Sequence, residues 1–373
     1  MRHDDDVTEQ LLWTGRPGSA RLWHRPEFST AARHTCLGTV TCTHEPQVVA
    51  GSATRLSFAY KSPAAGLGAG SRLRIAWGWP FDWRPASADE VLARTHIDGT
   101  DAGFSVIHVP RGAFDPWQHQ LDVDLAAPLA EGQVLQVCPG GEAGWLAPTF
   151  ACDAVDFLVA VWRPQDPRWN LVGRTKAPDV VPGPAVRSVA VAGGDAVVGE
   201  PVAVRLRCED VWGNTTGFPD GNPHLQEEAH VKQLNLRQES SPEVSILTLR
   251  FDTPGVHRPR FDVPGLGTIV GNAITVYAEA PLHRLFFGDL HSGQTDVGCG
   301  AGSLSQHFDH ARAAGLQFAS QQANDHYITP ARWASIRRDT AAAHRPGELV
   351  AILGCEWSPP TVDGGDRNVF YRE

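Results

Sequence analysis

Short runs in which apolar and polar residues alternate fill most of this chain, and they constrain its fold more than any other feature. Between residues 46 and 180, apolar residues occupy every second position in three clear runs: Leu56, Phe58, Tyr60; Leu73, Ile75, Trp77; and Leu121, Val123, Leu125. Gly and Pro separate these runs, and this combination is typical of an antiparallel sandwich or barrel. We therefore predict an N-terminal arm at 1–45 and a β-sandwich domain at 46–180.

The same pattern returns after a proline-rich stretch at 177–184, which reads as a linker. Val202, Val204, Leu206 and Cys208 fall on one face of a predicted strand, and the turn at 210–214 suits a hairpin. This spacing predicts an immunoglobulin-like β-sandwich at 185–279.

The last part of the chain, 283–373, has a different pattern of apolar residues. Apolar runs at 287–290, 316–320 and 349–354 alternate with helical patterns. The first helix begins with a capping box at Ser303 and Gln306, and the second begins at Thr329-Pro330. The order strand, helix, strand, helix, strand predicts parallel strands whose carboxyl ends meet at one rim.

Metal-capable side chains follow each of these three runs. Asp289 and His291 end the first, Asp325 and His326 follow the second, and Glu356 follows the third. Carboxylates and imidazoles are common ligands of divalent metals. The sequence therefore predicts a metal site at this rim.

These residues also carry a family resemblance. The segments 287–296, 322–329 and 354–370 resemble the PHP (polymerase and histidinol phosphatase) superfamily, and specifically an uncharacterised bacterial family with β-rich segments before a PHP-like domain. The resemblance implies a metal-dependent phosphoesterase on a seven-stranded barrel. It also implies that His291, Asp325, His326 and Glu356 bind metal.

The chain departs from the PHP pattern at several positions. Gly293 stands where the second histidine of the first motif is usual. Gln294 and Asp296 are nearby substitutes, and Asp296 is the better one because a carboxylate oxygen binds divalent metals better than an amide. Asp366 or Asn368 could replace a later histidine. Arg367 could clamp an anionic substrate, or it could pair with Asp363 or Asp366. The implied cofactors are divalent ions, namely manganese, zinc or iron.

Only three of the expected barrel strands precede residue 373, so this chain is expected to be a fragment that is inactive by itself. Two functions stay open. One is the N-terminal part of a metal-dependent hydrolase, phosphoesterase-like, that uses metal-bound hydroxide on a small anionic substrate. The other is a non-catalytic binding or structural β-sandwich module with a degenerate PHP-like end.

Charge and composition limit the classes of partner that the chain is expected to bind. A formal net charge of −10 and the lack of Lys and Arg clusters argue against nucleic acid and anionic membranes. No apolar run approaches the ~20 residues of a membrane span, and no signal peptide is visible at the start, so a cytoplasmic location is expected. Trp77, Trp79 and Trp83 suggest either stacking on sugar rings or the filling of an interface between domains, and the interface is the better interpretation.

Overall fold

β-Strands are the main secondary structure of the described residues, which divide into two units. The computed structural model describes residues 28–29, 37–78, 81–86, 93–101, 105–109, 119–240, 243–295, 300–325, 328–358 and 364–372. Strands make up 48% of these residues and helices 9%. The two units divide between Val181 and Pro182, inside the proline-rich stretch. Neither α-helix in the described ranges is long and apolar enough to cross a membrane.

The first unit contains sixteen of the strands that the structure describes. They are β1 (Phe28–Ser29), β2 (Thr39–Thr43), β3 (Gln47–Val49), β4 (Ala53–Thr54), β5 (Ser57–Lys61), β6 (Arg72–Trp77), β7 (Arg84–Pro85), β8 (Ala93–Ile97), β9 (Thr100–Asp101), β10 (Ser105–Val109), β11 (His119–Asp124), β12 (Val134–Pro139), β13 (Trp145–Leu146), β14 (Asp156–Arg163), β15 (Asp166–Lys176) and β16 (Asp179–Val181).

Two larger sheets of the first unit share one hydrophobic core. The six-stranded sheet has the order β1-β15-β14-β6-β11-β10, and the five-stranded sheet has the order β2-β5-β12-β8-β9. Phe58 and Tyr60 of β5 lie in one buried cluster with Ile75 and Trp77 of β6. The alternating pattern therefore builds the sandwich-like packing that the sequence predicts. Strand β2 pairs with β5, so residues 39–43, which the sequence assigned to the arm, belong to this sheet.

Two tryptophans of the predicted aromatic cluster are core residues of the first unit. Trp77 is 0% exposed and Trp83 is 1% exposed. The Trp77 ring stacks on His119 with 5.4 Å between ring centroids. These two side chains pack inside the protein and present no face to a sugar. Trp79 lies outside the described residues.

The second unit holds the remaining described strands and two helices. They are β17 (Arg187–Ala192), β18 (Asp195–Val197), β19 (Pro201–Glu209), β20 (Thr215–Thr216), β21 (His224–Leu225), β22 (Val231–Ser240), β23 (Glu243–Phe251), β24 (Gly255–His257), β25 (Arg260–Val263), β26 (Gly267–Val270), β27 (Ile274–Tyr277), β28 (Gly288–Asp289), α1 (Leu304–Ala313), β29 (Phe318–Ser320), α2 (Pro330–Ala343), β30 (Val350–Ile352), β31 (Gly354–Trp357) and β32 (Arg367–Phe370).

Strands β17 to β27 form small sheets around a second hydrophobic core. The four strands β17-β19-β23-β22 are antiparallel neighbours, and residues from β25 and β27 join them in the same buried cluster. Strand β19 buries Val202, Val204, Leu206 and Cys208, as its alternation predicts. The turn that follows is the predicted hairpin, because Cys208 pairs with Thr216 across it.

The predicted helices are present, and local signals explain where they begin and end. Ser303 and Gln306 form the capping box of α1, and Gly315, with φ of 84°, follows its C-terminus. Thr329 caps α2 and Pro330 takes its first position. The helices connect three parallel strands in the order β28-β29-β30.

This helical segment packs on the neighbouring sheets of its own unit. Ala313 of α1 lies in a buried cluster with Val244 and Ile246 of β23. The Leu285 backbone N–H donates to the Asp195 carboxylate over 2.6 Å. The segment at 283–373 is therefore joined to the sandwich by apolar contact and by hydrogen bonds.

The expected PHP-like barrel is a wrong prediction. After three short parallel strands, β31 and β32 form an antiparallel hairpin, with Gly354 opposite Phe370. The described chain is largely antiparallel β-structure, whereas such a barrel alternates strands with helices throughout. Correct local signals for two helices thus led to a wrong architecture.

Candidate functional site

Among the described residues of 283–373, Glu356 on β31 is the most buried charged residue, at 6% exposed. Its Oε2 atom accepts from Asn324 Nδ2 over 2.7 Å and also from Gln294 Nε2. Asn324 and Glu356 are partners in a parallel bridge, which aligns the two side chains. Both donors are neutral amides, and Glu356 forms no ion pair with a Lys, Arg or His among the described residues.

Three polar side chains share one face of the extended segment that contains Asn324. The backbone continues extended beyond β29, since Gln321 N donates to Ile352 O over 3.0 Å and Glu356 N donates to Ala323 O over 3.0 Å. In extended backbone every second side chain shares a face. Ser320, Gln322 and Asn324 therefore share one face.

These side chains are buried, and several of their polar atoms have no hydrogen-bond partner. They are Ser320 Oγ, both amide atoms of Gln322, and Asn324 Oδ1. Ser320 and Gln322 are 0% exposed and Asn324 is 6% exposed. We name Ser320, Gln322, Asn324, Glu356 and Gln294 the buried amide cluster. Unpaired buried polar atoms are uncommon in native proteins, and they often mark a place where a ligand, ion or water binds.

An exposed layer of polar residues lies beside the cluster. The His291 backbone N–H donates to Asp289 Oδ1 over 2.8 Å. Asn368, which is opposite Glu356 in the β31–β32 hairpin, donates from Nδ2 to Leu290 O over 3.0 Å. Its Oδ1 therefore faces His291 Nδ1 at 2.8 Å, and the imidazole is the donor. Of the predicted residues, His291 thus contacts Asn368, which is the cross-strand partner of Glu356, and Asp289 contacts the His291 backbone.

The other predicted site residues are placed differently. Asp325 Oδ1 accepts from the Ser358 backbone N–H over 3.3 Å. Asp366 is exposed. The Arg367 guanidinium lies over the Trp357 ring, 5.8 Å from its centroid, rather than in an ion pair with Asp366. Asp296, His326 and Asp363 lie outside the described residues, so the predictions for them stay predictions.

The described residues do not fit the implied metal ions. Within the part of the chain that the structure describes, no group of three His, Cys, Asp or Glu side chains could hold one ion. Two amide N–H groups point at Glu356 Oε2, and an amide N–H group is a donor that cannot ligate a cation. A divalent ion would instead need several oxygen or imidazole ligands around it.

A half-buried histidine on α1 supports the cluster from the side. His307 Nε2 lies 3.2 Å from Ser320 O. Burial lowers the pKa of His307 below its usual value, and the contact with Ser320 opposes this effect only in part. The ring is therefore held neutral over more of the pH range than a free histidine. The His307 ring also lies close to Gly293, because a Cβ on Gly293 would be 3.0 Å from it. Position 293 therefore has little room for a larger residue.

The segment that precedes the site exposes large apolar side chains. Five of them lie within nine residues, with these exposed fractions: Leu282 91%, Leu285 54%, Phe286 58%, Phe287 49% and Leu290 45%. We name this segment the apolar stretch 282–290. Single exposed apolar residues are ordinary on protein surfaces, but such a concentration in one segment is a feature of interaction surfaces.

Sequence comparison does not place the chain in a known family. No family model matches it, and no curated protein matches it. The PHP assignment, and with it the description of the chain as a metal-binding hydrolase, is therefore corrected. The β-rich architecture and the lack of a three-ligand group among the described residues both contradict that assignment.

Comparison with solved structures finds β-rich proteins at low similarity. The Escherichia coli adhesin FdeC is 12% identical with a TM-score of 0.31, over 68% of this chain and 67% of that one. Yersinia pseudotuberculosis InvD is 11% identical with a TM-score of 0.30, over 66% and 60%. A cohesin module of a Clostridium perfringens family 33 glycoside hydrolase is 9% identical with a TM-score of 0.28, over 40% and 100%. All three TM-scores are below 0.5.

Proposed function

We propose that this chain is a non-catalytic binding module, in which immunoglobulin-like β-sandwich bodies support an apolar surface that binds a partner protein. The apolar stretch 282–290 carries the proposal. Removing its side chains from water on binding would supply a favourable free energy of about 25 cal/mol for each Å² of apolar surface. The sandwich cores then serve as rigid supports for this surface.

The apolar stretch is held in place at several points. Arg284 forms an ion pair with Glu200 at 3.1 Å, and the Phe287 backbone N–H donates to Gln317 Oε1 over 3.0 Å. The hydrogen bond from Leu285 to Asp195 lies between them. A surface that is already ordered loses less conformational entropy on binding. These contacts favour a preformed binding surface over a segment that folds only with its partner.

The strand arrangement of the second unit supports the immunoglobulin-like part of the proposal. Four antiparallel strands share one core with short strands from other sheets, and a hairpin follows β19. Domains of this architecture present their loops and edges to ligands while the core stays fixed.

Site-specific photo-crosslinking in cells that produce the protein tests the proposal. A photoreactive phenylalanine analogue replaces Phe286 in one variant and Val211 in the control, because Val211 is 68% exposed on a turn away from the stretch. We expect one protein partner to be cross-linked from position 286 and not from position 211. That cross-link should disappear when Leu282 and Leu285 are also changed to Ser. Equal cross-linking from both positions, or none from position 286, would contradict the proposal.

A further inference from the structure

We propose that the partner of the apolar stretch 282–290 binds as an extended peptide segment, which adds a strand to the open edge of this stretch beside Phe286. This inference rests on the proposed function and names the kind of partner that the stretch fits. It depends on the backbone hydrogen bonds of residues 285–287 and on the two faces of their side chains.

Apolar side chains lie on both faces of the stretch. A Cβ built on Gly194 would lie 3.3 Å from Leu285 Cδ2 and 2.9 Å from Phe287 Cε2, so these two side chains share one face, as in an extended chain. Phe286 lies on the opposite face, because successive side chains of an extended chain point in opposite directions. All three residues are close to half exposed.

The backbone hydrogen bonds leave one edge of the stretch open. The Leu285 N–H donates to Asp195 Oδ2 over 2.6 Å, and the Phe287 N–H donates to Gln317 Oε1 over 3.0 Å. The Phe287 C=O accepts from the Gln317 N–H over 2.7 Å. Phe286, between them, has no hydrogen bond from its N–H or to its C=O among the described residues. Successive residues of an extended chain direct these groups to opposite edges, so those of Phe286 point away from β29.

The position of the stretch in its sheet agrees with an open edge. It runs directly into β28, which is terminal in the order β28-β29-β30 and has β29 as its one paired neighbour among the described strands. Strands that are apolar on both faces are usual inside parallel sheets, where neighbouring elements cover them. Residues 285–287 therefore have the composition of an interior strand, although they lie at the edge of the sheet.

An added strand fits both the open backbone groups and the two apolar faces. Its backbone supplies an acceptor for the Phe286 N–H and a donor for the Phe286 C=O, which is how partners that extend a sheet are recognised. Its side chains pack beside the stretch on both faces. A helix or a flat protein surface would cover one face and leave the backbone groups unpaired. The partner segment is therefore extended, with apolar residues at successive positions.

Cross-link mapping in cells that produce the full chain tests the inference. An amino acid with a photoreactive diazirine replaces Leu285, Phe286 or Phe287 in three separate variants, and mass spectrometry identifies the linked residues of the captured partner. We expect all three positions to link to one partner segment. The residues linked from positions 285 and 287 should lie about two apart in the partner sequence, with the residue linked from position 286 between them.

A backbone substitution tests the hydrogen bond from the Phe286 N–H. Phenyllactate at position 286 keeps the ring and replaces the N–H with an ester oxygen. Cross-linking from position 287 should then fall at least about fivefold. The matched control carries 2-hydroxyisovalerate in place of Val211, which is exposed on a turn away from the stretch, and should leave that yield unchanged. Circular dichroism checks that each variant is folded.

Several results would overturn the inference. Links that reach separate segments of the partner, or links from one face of the stretch only, would exclude an added strand. An unchanged yield in the phenyllactate variant would exclude backbone pairing. Links between two copies of this chain would mean that a second copy occupies the edge. A partner captured with scattered links rejects only strand addition, whereas no captured partner at any of the three positions rejects the proposed function as well.

Discussion

The side-chain amide of Asn324 donates to the carboxylate of Glu356 over 2.7 Å, and both residues are less than a tenth exposed. They come from segments that run parallel to each other, and the Glu356 backbone N–H donates to Ala323 O beside them. This pair holds the Glu356 carboxylate by a hydrogen bond from a neutral amide.

Asn324→Ala should destabilise the second unit. A hydrogen bond to a charged group contributes about 1.5–3 kcal/mol, and its loss leaves Glu356 with one amide donor, Gln294. We expect urea denaturation to show a decrease of about 2 kcal/mol in the free energy of unfolding. Asn222→Ala, at an exposed position, serves as the control and should change it by less than about 0.5 kcal/mol. Equal effects in the two variants would mean that the pair contributes no stability.

A pair of glycine substitutions measures how tightly the end of α1 packs on the sandwich. Gly315 and Gly347 have nearly the same backbone, with φ of 84° and 83°. A Cβ on Gly315 would lie 2.7 Å from Val191 Cγ1. A Cβ on Gly347 would have no heavy atom of another described residue within 4 Å. Gly347→Ala should cost about 1 kcal/mol from backbone strain alone.

Gly315→Ala adds overpacking to the same strain, so we expect it to cost at least about 1 kcal/mol more than Gly347→Ala. Thermal unfolding of the two variants side by side measures the difference. If both lower the melting temperature equally, the contact between Gly315 and Val191 is loose.

Asp210 makes the stability of the second unit depend on pH. Its side chain accepts from the backbone N–H groups of Gly183, Trp212 and Asn214, and from the Asn214 side chain. Burial raises the pKa of Asp210, but these four hydrogen bonds together outweigh it and leave the pKa below its usual value. A lowered pKa means that the carboxylate stabilises the fold above the unfolded pKa of about 3.9, and that this contribution is lost as pH falls through the folded pKa.

Asp210→Asn should therefore lower the free energy of unfolding by about 1–3 kcal/mol at neutral pH, because an amide nitrogen replaces an acceptor. It should also flatten the decline in stability below about pH 4. Denaturation curves between pH 3 and pH 7, with the exposed Asp220→Asn as control, check both effects. An unchanged slope below pH 4 would contradict the assignment.

Two tryptophan substitutions compare the stability contribution of a buried ring with that of an exposed ring. Trp77→Ala should cost about 3–5 kcal/mol, because the side chain is fully buried in the core of the first unit. Trp212→Ala, where the ring is 51% exposed, should cost less than about 1 kcal/mol. Denaturant unfolding followed by circular dichroism gives both values, and a small effect at Trp77 would contradict the described core.

Local patterns in the sequence predicted local structure well. The alternation over 202–208, the hairpin turn after it and the capping signals at Ser303 and Thr329 all correspond to observed elements. Each of these depends on interactions within a few residues, so the sequence contains the information directly. The packing of Ala313 on Val244 and Ile246 could not be predicted in this way, because those residues look like any apolar pair in a buried strand.

The candidate site was harder to predict from the sequence than the local structure. His291 contacts Asn368, which is opposite Glu356 in the β31–β32 hairpin, but the sequence does not show whether a carboxylate such as Glu356 accepts from amides or binds metal. The residues that decide between these cases are Asn324 and Gln294, whose amides donate to Glu356, and nothing in the sequence shows that these amides turn toward it. The spacing of the two helices suggested a longer alternation of strands and helices, but a hairpin follows the third strand.

We propose that this chain is a non-catalytic module in which the Glu356 carboxylate is held by hydrogen bonds from amides. Elemental mass spectrometry tests this most directly, on chain equilibrated with Mn²⁺, Zn²⁺ or Fe²⁺ and then freed of unbound metal, beside a folded Glu356→Ala variant. We expect well below one equivalent of each metal in the unmodified chain, and no difference between the two proteins. One or more equivalents that disappear in Glu356→Ala would contradict it.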